Sequence, residues 1–163
     1  MRPAKTNLRG LGGAYRKAGE RMGEVVKILD EKNVFAVVGA SRNPEKYGHK
    51  VFKDLLKAGY EVYPVNPKAD EVLGRRCYPD LKSLPKRPDV VVFVVPPKVT
   101  EALADQCLEL GVRFVWMQPG AESEEAIRKL EEAGVKVFHN VCIMITRRKL
   151  STGRSGPEPG QEG

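Results

Sequence analysis

The sequence is short of cysteine, histidine and long apolar runs, and each shortage excludes a class of protein. Cys77, Cys107 and Cys142 are odd in number, widely spaced and without a Cys-x-x-Cys pair, so they fit neither a disulfide framework nor a zinc site. No stretch reaches the roughly 18 consecutive apolar residues of a membrane span, and the basic N-terminus lacks the apolar core of a secretory signal. We therefore expect a cytoplasmic protein that uses no membrane.

The central part of the 163-residue chain also lacks a net charge, although the whole chain carries +7. Residues 1–23 contain six basic residues and one acid, and residues 146–163 contain four basic residues and two acids. Residues 24–145 therefore hold 18 basic and 18 acidic residues. Because a domain that binds nucleic acid needs a basic face, this balance predicts no nucleic-acid partner for the domain.

Short β-rich runs alternate along the chain with amphipathic helical patterns. This alternation is typical of a parallel sheet covered on both faces. The predicted fold class is therefore α/β, with a doubly wound, Rossmann-like, mostly parallel sheet of five to six strands and helices on both faces. The predicted strands cover residues 34–38, 60–65, 75–78, 89–95, 113–117 and 135–138. With right-handed crossovers, their expected order is 3-2-1-4-5-6.

The two ends of the chain differ in composition from the middle. Residues 1–23 are rich in glycine and basic residues, which predicts a flexible basic arm, and a short helix is expected to end near Asn33. After Ile145 the chain turns to Arg, Ser, Gly, Pro and Glu, which predicts a disordered tail over residues 146–163. The folded domain is predicted to span residues 24–145.

The loop after the first strand is the first candidate site, because doubly wound sheets bind ligands beyond the carboxyl ends of their strands. It contains Gly39-Ala40-Ser41-Arg42 and Lys46-Tyr47-Gly48, before a helix expected to begin near His49. Glycine lets the backbone approach a phosphate, Ser41 offers a hydroxyl, and the helix start adds free N–H groups. This pattern predicts a loop that binds a phosphate. The alternative is an ordinary strand-to-helix turn that binds no ligand. The loop matches neither the Gly-x-Gly-x-x-Gly fingerprint nor a Walker A loop.

The loop after the second strand lacks an acidic residue. NAD-binding domains place an Asp or Glu there to bind the ribose hydroxyls, whereas this chain has Asn66-Pro67-Lys68. A rigid Asn-Pro followed by lysine suits a ribose that carries a phosphate, as in coenzyme A or NADP. Arg42 of the first loop is expected to share that anion.

The loops after the fourth and fifth strands complete the candidate site. Val95-Pro96-Pro97 forms a rigid apolar shelf, and Met117-Gln118-Pro119-Gly120 offers a polar amide beside open backbone. Such surfaces suit a long, mostly neutral ligand arm. His49 and His139 have no carboxylate or nucleophile near them in sequence, so no catalytic group is predicted.

These segments resemble the small single-domain coenzyme A-binding proteins. That family is related to the nucleotide-binding domain of the succinyl-CoA synthetase α subunit and of ADP-forming acyl-CoA synthetases. The resemblance covers about residues 34–142. It rests on Val38-Gly39-Ala40-Ser41, Gly59-Tyr60-Glu61-Val62-Tyr63-Pro64-Val65-Asn66-Pro67, Val72-Leu73-Gly74, the valine-rich strand ending in Pro96-Pro97, and Trp116-Met117-Gln118-Pro119-Gly120.

The resemblance implies a ligand and its orientation. The Gly39 loop and Lys68 would hold the 3′-phosphate end of coenzyme A, while Pro96, Pro97 and the turn at 118–120 would flank adenine or pantetheine. The larger synthetases also need a phosphohistidine on a further domain and a second subunit, and the sequence shows neither. The resemblance thus implies a non-catalytic carrier, sensor or partner of an acyl-CoA enzyme, alone or as a homo-oligomer.

Cys142 aligns with a cysteine that is common near the end of such domains, although His139-Asn140-Val141 departs from the usual acidic-basic pair before it. Near the pantetheine end, this thiol would form a mixed disulfide with coenzyme A under oxidation. The other expectation is a buried, inert cysteine.

Two other functions stay open from the residues alone. One is an NAD(P)-binding Rossmann protein, against which the missing acid after the second strand argues. The other is a nucleic-acid or protein-interaction module that works through the basic ends, residues 1–23 and 146–163.

Overall fold

The computed structural model describes the backbone of residues 18–155 and the side chains of residues 23–151. The chain divides after Asp30 into two units, the first containing helix α1 and the second the sheet. The strands are β1 (Val34–Val38), β2 (Glu61–Val65), β3 (Glu71–Val72), β4 (Arg75–Arg76), β5 (Val90–Phe93), β6 (Phe114–Met117) and β7 (Lys136–His139). The helices are α1 (Ala18–Ile28), α2 (Tyr47–Lys57), α3 (Pro97–Leu110), α4 (Glu124–Glu132) and α5 (Ile143–Ser155), with a 3-10 turn at Leu81–Ser83.

Five parallel strands form the main sheet, in the order β2-β1-β5-β6-β7. The predicted α/β, Rossmann-like fold class is therefore confirmed. The strand order reverses between β1 and β5, so the switch point lies where the sequence predicts it. Among the described residues, no helix is long and apolar enough to cross a membrane.

The prediction that residues 75–78 form a third strand of the main sheet is wrong. Arg75–Arg76 pairs instead with Glu71–Val72 in a separate antiparallel hairpin. The turn between them places Leu73 and Gly74 at φ 52° and 76°, the left-handed values that a tight hairpin needs. Only Tyr78 reaches the main sheet, through one parallel bridge to Val65.

Each face of the sheet is covered by its own helices. Alternate strand residues such as Ala36, Val91 and Val115 share one buried cluster with Ala104 of α3 and Leu130 of α4. Helix α2 connects β1 to β2, which lies on the opposite side of β1 from β5, β6 and β7. Right-handed crossovers therefore place α2 on the other face of the sheet. Helix α5 contacts α2 on that second face through an Asp54–Arg147 ion pair.

Helix α5 corrects the prediction that residues 146–163 form a disordered tail. Its described part buries Ile143, Met144 and Leu150. Arg147 donates two hydrogen bonds to the Asp54 carboxylate, at 2.9 and 3.0 Å. Apolar burial and this ion pair order a segment whose composition alone predicts disorder.

Smaller corrections concern the boundaries of elements. Helix α1 starts at Ala18, inside the predicted arm, and α2 starts at Tyr47 rather than near His49. The predicted strand at 89–95 ends at Phe93, because the Val94 N–H makes the last bond to β1 and the chain then turns into α3. Residues 1–17 and 156–163, where the rest of the predicted arm and tail lie, are outside the described part of the chain.

Candidate functional site

The four predicted loops meet at the carboxyl edge of the sheet. The Gly39 N–H donates to the Val65 carbonyl at 2.9 Å, and the Asn66 side-chain amide donates to the Ala40 carbonyl at 2.7 Å. The Gln118 N–H donates to the Phe93 carbonyl at 3.0 Å. Direct contacts thus join the loops after β1 and β2, and those after β5 and β6.

Glycine is required at both ends of the loop after β1. Gly39 has φ 98°, and a Cβ there would overlap the Val94 carbonyl oxygen of the neighbouring loop. A Cβ at Gly48 would overlap the Gly39 carbonyl oxygen. The first turn of α2 therefore packs directly against the end of β1, which brings a helix N-terminus to the switch point.

The loop is rigid because its own polar groups bond to one another. The Ser41 hydroxyl accepts a hydrogen bond from the Asn43 N–H, and the Asn43 side chain accepts one from the Glu45 N–H. Buried His49 lies 2.8 Å from the Ser41 carbonyl through Nδ1, which therefore carries the proton. His49 is a structural residue of the loop, and the Ser41 hydroxyl hydrogen stays available to a ligand.

Two helix N-termini at the switch point have no side-chain cap. Lys46 and Pro96 occupy the N-cap positions of α2 and α3, and neither helix has an acid in its first turn. In contrast, α4 is capped by Ser123 and begins with Glu124 and Glu125. The N–H groups of Tyr47 and Gly48 in α2 and of Lys98 in α3 therefore have no side-chain acceptor and are partially positive, so these first turns bind an anion more readily than that of α4.

Three cationic side chains flank this edge. Arg42, Lys46 and Lys68 are exposed, and none of them forms an ion pair within the described part of the chain. The Lys68 N–H donates to the Asn66 side-chain oxygen at 2.9 Å, which fixes the backbone from which the lysine extends. Pro67, Pro96, Pro97, Pro119 and Gly120 are exposed as well, and Val95 is half-buried.

Four candidate residues are buried, and one of them corrects a prediction. Ala40, Gly48 and Met117 are closed off from solvent and support the loops from below. Gln118 is 0% exposed, so its amide is not the open polar surface that the sequence predicts. Its side-chain oxygen accepts the Ile143 N–H at 2.7 Å, and its nitrogen lies 3.4 Å from the Cys142 sulfur.

Cys142 forms a small cluster with Tyr47 and Gln118. Its sulfur lies 3.6 Å from the Tyr47 hydroxyl. Burial opposes ionisation of this thiol, but hydrogen bonds from the Gln118 amide, the Ile145 and Met144 N–H groups and the Tyr47 hydroxyl lower its pKa below the ordinary value. The same contact with Cys142 raises the pKa of Tyr47, which keeps the phenol protonated as a donor.

The other two cysteines have the opposite character. Burial raises the pKa of Cys107 to about 12, and burial is also the main cause that raises the pKa of Cys77. Of the three thiols, Cys142 is the one poised to ionise. Tyr47, Gln118 and Cys142 are separate candidates in the sequence, and no spacing signal predicts the cluster, because it joins three segments far apart in the chain.

Comparison with known proteins places this geometry in a family. Residues 33–148 match the family model described as a CoA binding domain. The chain belongs to the CoA binding domain family. This membership confirms the resemblance from which the coenzyme A prediction came.

Relatives of this CoA-binding domain are of two sizes. It is 35% identical to the uncharacterized protein YneT of Bacillus subtilis, over 75% of this chain and 90% of YneT. It is 38% identical to the α subunit of ADP-forming acetate–CoA ligase II of Pyrococcus furiosus, over 68% of this chain. The match covers 25% of that subunit, so the chain spans about a quarter of the ligase subunit's length.

A solved structure shows the same architecture. A conserved hypothetical protein of Pyrococcus furiosus superimposes with a TM-score of 0.66 at 53% identity, over 70% of this chain and 98% of that one. The CoA-binding domain therefore exists in relatives both as most of a protein and as one part of a larger subunit.

Proposed function

We propose that this chain binds coenzyme A, free or acylated, in the crevice at the carboxyl edge of the sheet, and that it catalyses no reaction alone. One observation carries the proposal: the uncapped first turns of α2 and α3 meet the switch point of a CoA-binding domain, beside Arg42, Lys46 and Lys68. Helix N-termini and cations are the groups that bind phosphates.

Coenzyme A carries a phosphate on its ribose and NAD does not, so the residues that would face the ribose distinguish the two ligands. Asn66-Pro67-Lys68 follows β2, where an acid would bind the free ribose hydroxyls of NAD. Lys68 is exposed and starts from a backbone fixed by Asn66. We infer that Lys68 binds the 3′-phosphate and that the helix N-termini bind the pyrophosphate.

The pantetheine arm would extend from the phosphates toward the turn after β6. Pro96, Pro97, Pro119 and Gly120 supply exposed, mostly apolar surface along that edge. This route leads toward Tyr47 and Cys142, the latter at the start of α5. A thiol at the end of the arm would therefore meet the one cysteine of low pKa.

The absence of catalysis rests on the groups near the crevice. The buried His49 ring donates its Nδ1 proton to the Ser41 carbonyl, and among the described residues no carboxylate is bonded to it. A catalytic base must also reach its substrate, and His49 is closed off from solvent. The proposed role is a carrier, a sensor or a partner of an acyl-CoA enzyme, consistent with the ligase subunits among its relatives.

Isothermal titration with coenzyme A, NAD and NADP tests the proposal. We expect one-to-one binding of coenzyme A and no heat from NAD at the same concentrations. If NADP and coenzyme A bind with equal affinity, the site recognises only the ribose phosphate. Clear NAD binding without coenzyme A binding would overturn the proposal.

A further inference from the structure

The two helical layers of the domain carry opposite charges. α2 and residues 143–151 of α5 contain six basic residues and one acid. α3 and α4 contain three basic residues and seven acids. The neutral sum over the domain hides this separation, so a net charge of zero does not exclude a basic face. The surface formed by α2 and α5 is called the α2/α5 face below.

A row of lysines dominates the α2/α5 face. Lys50, Lys53 and Lys57 are spaced to lie along one side of α2, over about 10 Å at 1.5 Å per residue. All three are exposed, and none forms an ion pair among the described residues. Arg148 and Lys149 add two exposed cations from α5.

The single acid of this face does not offset the row. The Asp54 side chain is 11% exposed and is held by Arg147 at 2.9 Å, with Arg148 at 3.4 Å. Its charge is therefore compensated within the face. The net outward charge comes from the lysine row, Arg148 and Lys149.

We propose that the α2/α5 face binds the phosphate backbone of a nucleic acid. A protein partner fits less well, because the cores of protein interfaces are depleted in lysine. A second copy of the chain also fits less well, since both copies would carry +7. Lysine contacts to phosphate carry no sequence information, so binding is independent of base sequence.

The test is fluorescence anisotropy of the full chain with labelled single-stranded and duplex oligonucleotides of mixed sequence, over a series of salt concentrations. Four or five phosphate contacts predict a slope of log K against log salt of about −3.6 to −4.5 for duplex DNA and about −2.8 to −3.5 for single strands. The slope should be similar for unrelated sequences. No binding at low salt, or binding that does not change with salt, would overturn the proposal.

Two variants with the same change in net charge locate the binding surface. Lys50→Glu/Lys53→Glu/Lys57→Glu reverses the row, and Lys82→Glu/Lys86→Glu/Arg128→Glu reverses three exposed cations elsewhere. We expect at least about tenfold weaker binding for the first variant and less than about threefold for the second. Lys53→Glu alone repeats the test if the triple variant fails to fold.

Other outcomes identify a different explanation. Equal losses in both variants would assign binding to net charge, and equal retention would assign it to residues outside the face, such as 1–23; either result overturns the proposal. Self-association in sedimentation that the first variant abolishes, without oligonucleotide binding, would show that the face binds a second copy. Coenzyme A titration of Lys53→Glu and of the control variant checks that the crevice is intact, because Lys50 lies in the first turn of α2.

Discussion

At the scale of single residues, Lys68 is the side chain that we propose distinguishes coenzyme A from its analogues. Its backbone is fixed by Asn66, whose amide also bonds to the Ala40 carbonyl at 2.7 Å. Two loops of the crevice are therefore tied together directly beside the lysine. A fixed backbone reduces the entropy lost when the lysine orders on a phosphate.

We predict that Lys68→Ala weakens coenzyme A binding about 10- to 100-fold, since a charge-assisted hydrogen bond contributes about 1.5–3 kcal/mol. The same substitution should leave the affinity for 3′-dephospho-coenzyme A unchanged. Calorimetric titration of both ligands measures this, with Lys82→Ala, another exposed lysine, as the control. Equal losses for the two ligands would show that Lys68 does not bind the 3′-phosphate.

Cys142 is the second residue with a specific chemical prediction. Its sulfur receives hydrogen bonds from the Gln118 amide, the Tyr47 hydroxyl and two N–H groups of α5. These donors favour the thiolate, so the fraction ionised near neutral pH exceeds that of an ordinary thiol.

We predict that iodoacetamide alkylates Cys142 before Cys77 and Cys107, with a rate profile whose midpoint lies below the ordinary thiol pKa. Tyr47→Phe removes one hydrogen-bond donor to the Cys142 sulfur. This should raise the pKa of Cys142 and move the pH profile of its alkylation rate to higher pH. Peptide mass spectrometry over a pH series measures both effects. Alkylation of Cys142 no faster than that of Cys77 would contradict the assignment.

The mixed disulfide between Cys142 and coenzyme A stays a prediction. With coenzyme A disulfide as oxidant, the Cys142 thiolate attacks one sulfur, forms the new S–S bond and releases one coenzyme A thiolate. Intact-mass spectrometry should show one adduct that a reductant removes and that Cys142→Ser lacks. An adduct that persists in Cys142→Ser would place the reaction at another thiol.

At the scale of elements, α5 shows how an ion pair and a few apolar contacts order a segment. Arg147 and Asp54 are 21% and 11% exposed, and Ile143 and Leu150 are buried beside them. Because Cys142 directly precedes α5, the position of the helix also sets the sulfur against Gln118 and Tyr47. The stability of α5 is thus linked to the geometry of the site.

We predict that Arg147→Ala lowers the free energy of unfolding by about 1–3 kcal/mol, because it leaves the largely buried Asp54 carboxylate with only its longer contact to Arg148. Lys82→Ala breaks the Lys82–Glu109 pair, whose side chains are 55% and 57% exposed, and should cost less than about 1 kcal/mol. Urea unfolding of the two variants compares the effects. Equal effects would show that the Asp54–Arg147 pair does not anchor α5.

The strands and loops of the site are predictable from sequence because their signals are local. Valine-rich runs closed by Gly39 or by Pro96-Pro97 reveal both strands of the switch point. The contacts of Gln118 and α5 are not predictable in this way. They depend on pairs such as Asp54 with Arg147, 93 residues apart, which only the fold brings together.

At the scale of the whole molecule, the distribution of charge matters more than its sum. The carboxyl edge gathers Arg42, Lys46 and Lys68 around uncapped helix starts, while α3 and α4 carry the acids of the domain. A polyanionic ligand should therefore be attracted to the crevice and repelled from the layer of α3 and α4. This distribution supports the proposal that the crevice binds a phosphate-bearing ligand.

Native mass spectrometry tests the central claim, that the crevice binds coenzyme A, most directly. The purified chain is mixed with equal amounts of coenzyme A, NAD and NADP, and the masses of the complexes are read. We expect one dominant complex of one chain with one coenzyme A. A dominant NAD or NADP complex, or free protein in the presence of excess coenzyme A, would contradict it.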